Sequence, residues 1–148
     1  MRRLQVNIFL YIFALMRKRY SNKKVSISLH LPQQSQTAGI HLPPLLFIVL
    51  IENAFKHGIS YLRHSSFDMI MDVMDGHIRF HCRNSRGIPS ENAQKRSGGI
   101  GLKNLYKRLE LLYGQNYSLA IDDKKTDTYE VTLTIPYKYG TDTMHSDR

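Results

Sequence analysis

The run from Pro43 to Gly58 constrains the rest of the chain more than any other stretch. Two prolines can open a helix because the first helical position needs no backbone N–H, and Gly58 can close it in a left-handed conformation. Seven successive apolar residues, Leu45 to Ile51, cover every side of the first two turns, so this part must be enclosed by protein. The character then changes. At 100° per residue, Glu52, Lys56, Asn53 and His57 fall within an arc of about 140°, placing a carboxylate, an ammonium, an amide and an imidazole on one face of the last turns. Polar groups at the end of an enclosed helix suggest the wall of a cavity.

Two readings of that face stand side by side. One is a solvated helix end, with Glu52 and Lys56 as an i,i+4 ion pair worth a few tenths of a kcal/mol. The other is a nucleotide site. A hard cation such as Mg²⁺ takes oxygen ligands and keeps several waters, which suits one amide oxygen from Asn53; Glu52 could hold a coordinated water and Lys56 could meet phosphate charge. The second reading needs a phosphate-binding stretch elsewhere in the chain.

Residues 97–114 supply a candidate. Leu102, Leu105, Leu109 and Leu112, flanked by Tyr106 and Tyr113, follow a helical spacing that predicts an amphipathic helix ending at Gly114. Before it lie Gly98, Gly99 and Gly101, where absent side chains let backbone N–H groups approach an anion and the helix dipole adds partial positive charge. A flexible hinge would use the same glycines.

Together the two stretches resemble a known family. Residues 52–58, Glu-Asn-Ala-Phe-Lys-His-Gly, look like the N box, and residues 99–114 look like the G2 box, of sensor histidine kinases related to the autolysin-regulating sensors. The likeness extends more loosely from Leu4 to Pro136. It implies the ATP-binding Bergerat fold (GHKL superfamily) shared with gyrase, mismatch-repair and heat-shock chaperone ATPases. On that resemblance ATP and Mg²⁺ are the cofactors. Asn53 is the metal ligand, Glu52 orients a metal-bound water or assists proton removal, and Lys56 contacts phosphate. Backbone at Gly99, Gly101 and Leu102 cradles the phosphates, with His57 and Asn104 as further nucleotide contacts.

The family pattern breaks at one place. The superfamily shows an aspartate followed by spaced glycines, where the carboxylate accepts a hydrogen bond from the adenine amino group. Here Asn84 stands at that position and only Gly87 remains, one place out of step. An amide oxygen can still accept the bond, without the carboxylate's charge. Residues 89–97 correspond to the loop that closes over nucleotide, where Lys95 and Arg96 are either solvated or reach the triphosphate.

At 148 residues with 42% hydrophobic content the chain fits one domain with an ordinary core. The single Cys82 cannot form an internal disulfide, and no Cys–His spacing resembles a zinc site. His77 and His81 share a strand face, but two histidines without a third ligand read as structural. A net charge of +9 favours anionic partners without choosing among nucleotide, membrane, acidic protein and nucleic acid. No zinc finger, helix-turn-helix or RNP-like motif supports nucleic acid.

The opening Met1 to Tyr20 has an apolar core about half the roughly 20 residues that span a bilayer. It reads instead as a helix whose face of Leu4, Ile8, Tyr11, Ile12 and Leu15 packs on the domain or on a partner. Residues 25–29 alternate as a strand, and Pro32 to Gly39 form a polar connector. Strands at 66–74 and 77–83 flank Asp75 and Gly76, a two-residue hairpin turn. Residues 117–121 and 129–135 form a closing hairpin, and 138–148 a disordered tail.

These elements predict an α+β fold, a two-layer sandwich with a mixed sheet and helices on one face. There is no Walker A sequence. The resemblance divides the chain into the tail of a linker helix (1–20), an ATP-binding catalytic domain (21–137) and the tail. It implies a cytoplasmic domain of an inner-membrane sensor, homodimeric at full length. The expected partners are a phosphoacceptor and dimerisation domain and a response regulator, not nucleic acid, with the membrane reached only through a missing N-terminal part. No phosphoacceptor motif precedes the N box; His30 and His41 are in the wrong context and are assigned to structure. Two other classes stay open: a degenerate ATPase-like interaction module without catalysis, and a basic nucleic-acid-binding domain.

Overall fold

The computed structural model describes residues 2–3, 6–20, 24–43, 46–58, 64–86 and 99–139. In chain order the elements are β1 (Arg2–Arg3), α1 (Val6–Arg19), β2 (Val25–His30), α2 (Gln34–Thr37), β3 (Ile40–Leu42), α3 (Leu46–Gly58), β4 (Ser65–Met74), β5 (His77–Ser85), α4 (Ile100–Tyr113), β6 (Ser118–Asp122), β7 (Thr128–Pro136) and β8 (Lys138–Tyr139). Five strands form a mixed sheet in the order β2-β4-β5-β7-β6; β2 and β4 are parallel and the other pairs antiparallel. Three short strands, β1-β3-β8, form a second antiparallel sheet.

Alternation along the strands decides which face is covered. Phe67, Met69 and Met71 of β4, Ile78, Phe80 and Cys82 of β5, and Val131, Leu133 and Ile135 of β7 all point inward and are buried. Successive strand side chains take opposite faces, so Asp72, Arg79, Arg83 and Glu130 point outward and pair as Arg79–Asp72 at 2.6 Å and Arg83–Glu130 at 3.5 Å. These exposed pairs contribute at most about 1 kcal/mol each. The inner face packs against Leu46, Phe47, Leu50, Ile51, Ala54 and Phe55 of α3, all buried. Phe55 stacks on Phe67 with ring centroids 4.3 Å apart, and Phe47 tilts onto Phe80 at 5.6 Å. The expected sandwich, with its helices on one face of a mixed sheet, is the observed architecture.

The Asp75–Gly76 turn joins β4 to β5 with Gly76 at φ 71°, a left-handed conformation that glycine adopts without strain. Gly114 ends α4 at φ 58° with its N–H donated to the Glu110 carbonyl at 2.8 Å.

Several sequence expectations need correction. Gly58 is not a left-handed cap: it lies within α3, and among the described residues the glycines with positive φ are Gly39, Gly76 and Gly114. Of the two surfaces expected to cover the α1 face, the domain does not cover Tyr11 and Leu15, which are 65% and 48% exposed; α1 leans on the core through Ile12 and Met16, followed by Tyr20, whose ring stacks on Phe55 at 5.6 Å. The side chains of Leu4 and Ile8 lie outside the description. On α4 the inward stripe is Leu102, Leu105, Leu109 and Tyr113, while Leu112 is 41% exposed. The connector contains the single turn α2, and β3 follows it. Lys138–Tyr139, assigned to the tail, form β8 against β3. Residues 140–148 lie outside the described residues, as do 87–98, which hold Gly87, Lys95, Arg96 and Gly98.

Candidate functional site

The row Val49, Asn53 and His57 runs down one side of α3 at i,i+4 spacing and covers about 12 Å of helix axis. Each member meets a different part of the fold. A Cβ placed on Gly101, in the first turn of α4, would lie 3.6 Å from the Val49 side chain, so the start of α4 sits beside this row at van der Waals distance. One turn on, Nδ2 of Asn53 donates to the Tyr129 hydroxyl of β7 at 3.0 Å. A turn further, the His57 imidazole tilts against the Tyr129 ring, centroids 5.8 Å apart.

At the end of α3, Gly58 fits where no other residue could. A Cβ there would stand 2.5 Å from Cε1 of Phe67 and 2.8 Å from Nδ2 of Asn84. The helix terminus thus lies directly on the Asn84 side chain. That side chain is 1% exposed; its Nδ2 donates to the Ser85 carbonyl at 3.0 Å, and its Oδ1 is buried with no partner among the described residues. An unpartnered buried acceptor costs free energy, which an incoming N–H donor would relieve. Asn84 and Tyr129 are directly opposite in the β5–β7 ladder and share the inner face.

The electrostatics follow from enclosure. Burial, then the neighbouring Lys56 and Arg86 charges, lower the His57 pKa below its ordinary 6.5, so the imidazole is neutral at pH 7. Burial pushes the Tyr129 phenol up to about 12, against the smaller opposing effect of the Asn53 hydrogen bond, so the hydroxyl keeps its proton. Arg86 is anchored at the β6–β7 connection: its Nη1 donates to the carbonyls of Asp123 and Lys125 at 2.6 and 2.8 Å.

Among the residues singled out from sequence, the structure therefore brings Asn53, His57 and Asn84 together around Tyr129 and sets Gly101 against the same helix row. Glu52 and Lys56 are both exposed on α3, and no ion pair joins them among the described residues, so the simple salt-bridged helix end is not what forms. Gly99 caps α4 without a side-chain cap, its carbonyl accepting from Leu102 N at 3.1 Å; Gly99 and Asn104 are exposed and Leu102 is half-buried. His77 and His81 bond locally, to the Asp75 carbonyl at 3.0 Å and the Thr132 hydroxyl at 2.8 Å. No cluster of three potential metal-ligating side chains exists among the described residues.

Sequence reasoning missed Tyr129 and Arg86. Tyr129 falls on the same parity as Val131, Leu133 and Ile135, and a tyrosine on an inward face must find a partner for its hydroxyl. That parity was the available clue.

No protein-family model matches the chain. The LytS sensor protein of Staphylococcus saprophyticus is 32% identical over 110 residues, covering 67% of this chain and 18% of that protein. The sensor histidine kinase BtsS of Escherichia coli K12 is 25% identical over 136 residues, covering 90% and 22% respectively. The chain thus spans about a fifth of the length of these curated relatives. Among solved structures, the nucleotide-free catalytic domain of the histidine kinase ThkA superposes with a TM-score of 0.60 at 12% identity, covering 88% of this chain and 90% of that one. Sequence relationship and fold agree: the chain belongs to the sensor histidine kinase family that includes LytS and BtsS, and it has the fold of a histidine kinase catalytic domain.

Proposed function

We propose that this chain is the ATP-binding catalytic part of a sensor histidine kinase, which passes the γ-phosphoryl group of ATP to a histidine on a separate domain. The observation that carries the proposal is the row on α3. It meets the glycine-rich start of α4 at Val49, presents an amide at Asn53 and ends on the unpartnered acceptor of Asn84.

The donor set fits Mg²⁺ and ATP. With its Nδ2 engaged by Tyr129, the Asn53 side chain has Oδ1 left for a hard cation, which accepts a single amide oxygen among waters. Lys56 is exposed one turn on and can meet phosphate charge. Backbone N–H groups at Gly99 and Gly101 open α4 and favour an anion there, with Leu102, whose N–H is donated to the Gly99 carbonyl at 3.1 Å, beside them. Asn104 and the neutral His57 would add polar contacts. The Asn84 Oδ1 would accept from the adenine amino group. The metal, when bound, supplies charge neutralisation on the phosphates. Transfer to the acceptor imidazole forms a P–N bond, breaks the β–γ P–O bond and releases ADP; Glu52 would orient a metal-bound water or take up the imidazole proton. Positioning and charge stabilisation are most of what phosphoryl transfer requires.

In the same reading α1 (Val6–Arg19), which strand β1 precedes, belongs to the connection from a phosphoacceptor and dimerisation domain, so the linker-helix tail expected over 1–20 is helical only from Val6 among the described residues. The whole would be a homodimeric membrane sensor with a response regulator downstream and this domain on the cytoplasmic side. Among the described residues no helix is long and apolar enough to cross a membrane. A second reading, an interaction module of the same fold without catalysis, is favoured by the near-complete burial of Asn84.

Titration with a fluorescent ATP analogue, with and without Mg²⁺, separates the two. The kinase reading expects saturable binding strengthened by Mg²⁺. Absence of saturable binding under both conditions supports the module.

A further inference from the structure

Asn84 offers an unpartnered acceptor, yet almost none of its surface is reachable. Something beside it must move before any ligand can use that oxygen. The groups packed around it differ in how firmly they are held. Gly58 is backbone at the end of a buried helix, and Phe67 is fully buried and stacked on Phe55. Neither can leave without opening the core. Tyr129 is different. It stands directly across the β5–β7 ladder from Asn84 on the same face, and its side chain reaches from the sheet to α3. There a hydrogen bond donated by Asn53 holds its hydroxyl, and the half-buried His57 ring tilts against its ring.

We propose that Tyr129 sets the nucleotide affinity of this site by filling the room beside Asn84 in the ligand-free chain, tethered there by Asn53. This rests on the nucleotide reading above and adds to it that the base end is closed by the protein itself. The tether has a consequence. The same Asn53 amide proposed to meet the metal through Oδ1 also holds, through Nδ2, the residue that covers the base acceptor, so the metal end and the base end of the site are linked through one side chain. The hydroxyl remains protonated under ordinary conditions, so the tether is a neutral hydrogen bond of modest strength and can be exchanged for ligand contacts.

The test is AMP binding, followed calorimetrically without metal, in the full chain and in Tyr129→Val and Tyr129→Phe. AMP carries the base but lacks the outer phosphates that need the cation. Valine is a good strand residue and removes the ring; phenylalanine removes only the tether. Circular dichroism melts verify that each variant is folded. The proposal expects Tyr129→Val to bind AMP at least tenfold more tightly than the parent and Tyr129→Phe about threefold more tightly, whereas simple structural damage would weaken binding. Tighter binding in Tyr129→Val supports it even if the parent shows none. If the parent binds Mg²⁺·ATP saturably but neither folded variant gains affinity for AMP, Tyr129 is not the cover and the nucleotide site stands without it. If parent and folded variants all fail to bind any adenine nucleotide, the nucleotide reading is lost and this inference with it. Should the valine variant not fold, the phenylalanine variant decides in the same way.

Discussion

Asn53 and Tyr129, 76 positions apart in the chain, are joined by a 3.0 Å hydrogen bond that ties the polar end of the central helix to a central strand of the sheet. The bond does two things at once. It satisfies a tyrosine hydroxyl that would otherwise be buried alone, and it fixes which way the Asn53 amide faces.

Asn53→Ala removes the donor and leaves the Tyr129 hydroxyl buried without it. The expected cost is about 1–3 kcal/mol, read from the urea midpoint at pH 7. A double-mutant cycle with Tyr129→Phe should show a coupling of about 1 kcal/mol, since removing both partners is cheaper than removing one. Additive effects would mean that the bond contributes nothing.

Gly58→Ala should destabilise the domain by about 1–3 kcal/mol through collision with Phe67 and Asn84. A left-handed glycine would suffer from the same change, but for another reason. Combining it with Phe67→Leu separates the causes: relief of part of the cost identifies collision, and strict additivity would point back to backbone strain.

The lowered pKa of His57 makes stability pH-dependent. Below its ordinary value of 6.5 the unfolded chain takes up the proton first, so stability present above that pH is lost as pH falls toward the depressed folded value. The fall in urea midpoint between pH 7.5 and pH 5.5 should therefore be smaller in His57→Gln than in the parent. An equal or steeper fall in the variant contradicts a buried neutral imidazole.

Cys82 is fully buried, and burial followed by the nearby Asp68 charge pushes its thiol up to about 12. Alkylation by iodoacetamide at pH 8 should be negligible in the folded chain and rapid in urea. Ready modification of the native protein would show the β5 core to be open.

Much of this architecture was legible from the sequence because long periodic runs speak for themselves. Leu46 to Ile51 read as an enclosed helix, the alternation around Asp75 and Gly76 as a hairpin, and Gly114 stops α4 where the leucine spacing runs out. What stayed hidden depends on partners distant in the chain. The role of Gly58 is set by Phe67 and Asn84, which no local pattern connects to it. Strands β1 and β8 are two residues each and exist because β3 lies between them. The exposed sides of Tyr11 and Leu15 follow from how α1 is rotated about its axis, which apolar spacing on a short helix leaves undetermined. In the candidate site, Asn53, His57 and Asn84 were picked out from local chemistry and resemblance. Tyr129 was not, because as an isolated letter it is only a good strand residue.

The most direct test of the whole account is an NMR titration of the ¹⁵N-labelled chain with Mg²⁺·ATP, following the side-chain amide signals of Asn53 and Asn84 and the backbone amides of Gly99 and Gly101. One nucleotide lying along the α3 row should move all four sets along a single saturation curve, and Asn53→Ala should remove the Mg²⁺ dependence. Shifts confined to the exposed basic surface, or Asn53 and Asn84 signals that stay still at saturating nucleotide, would contradict it.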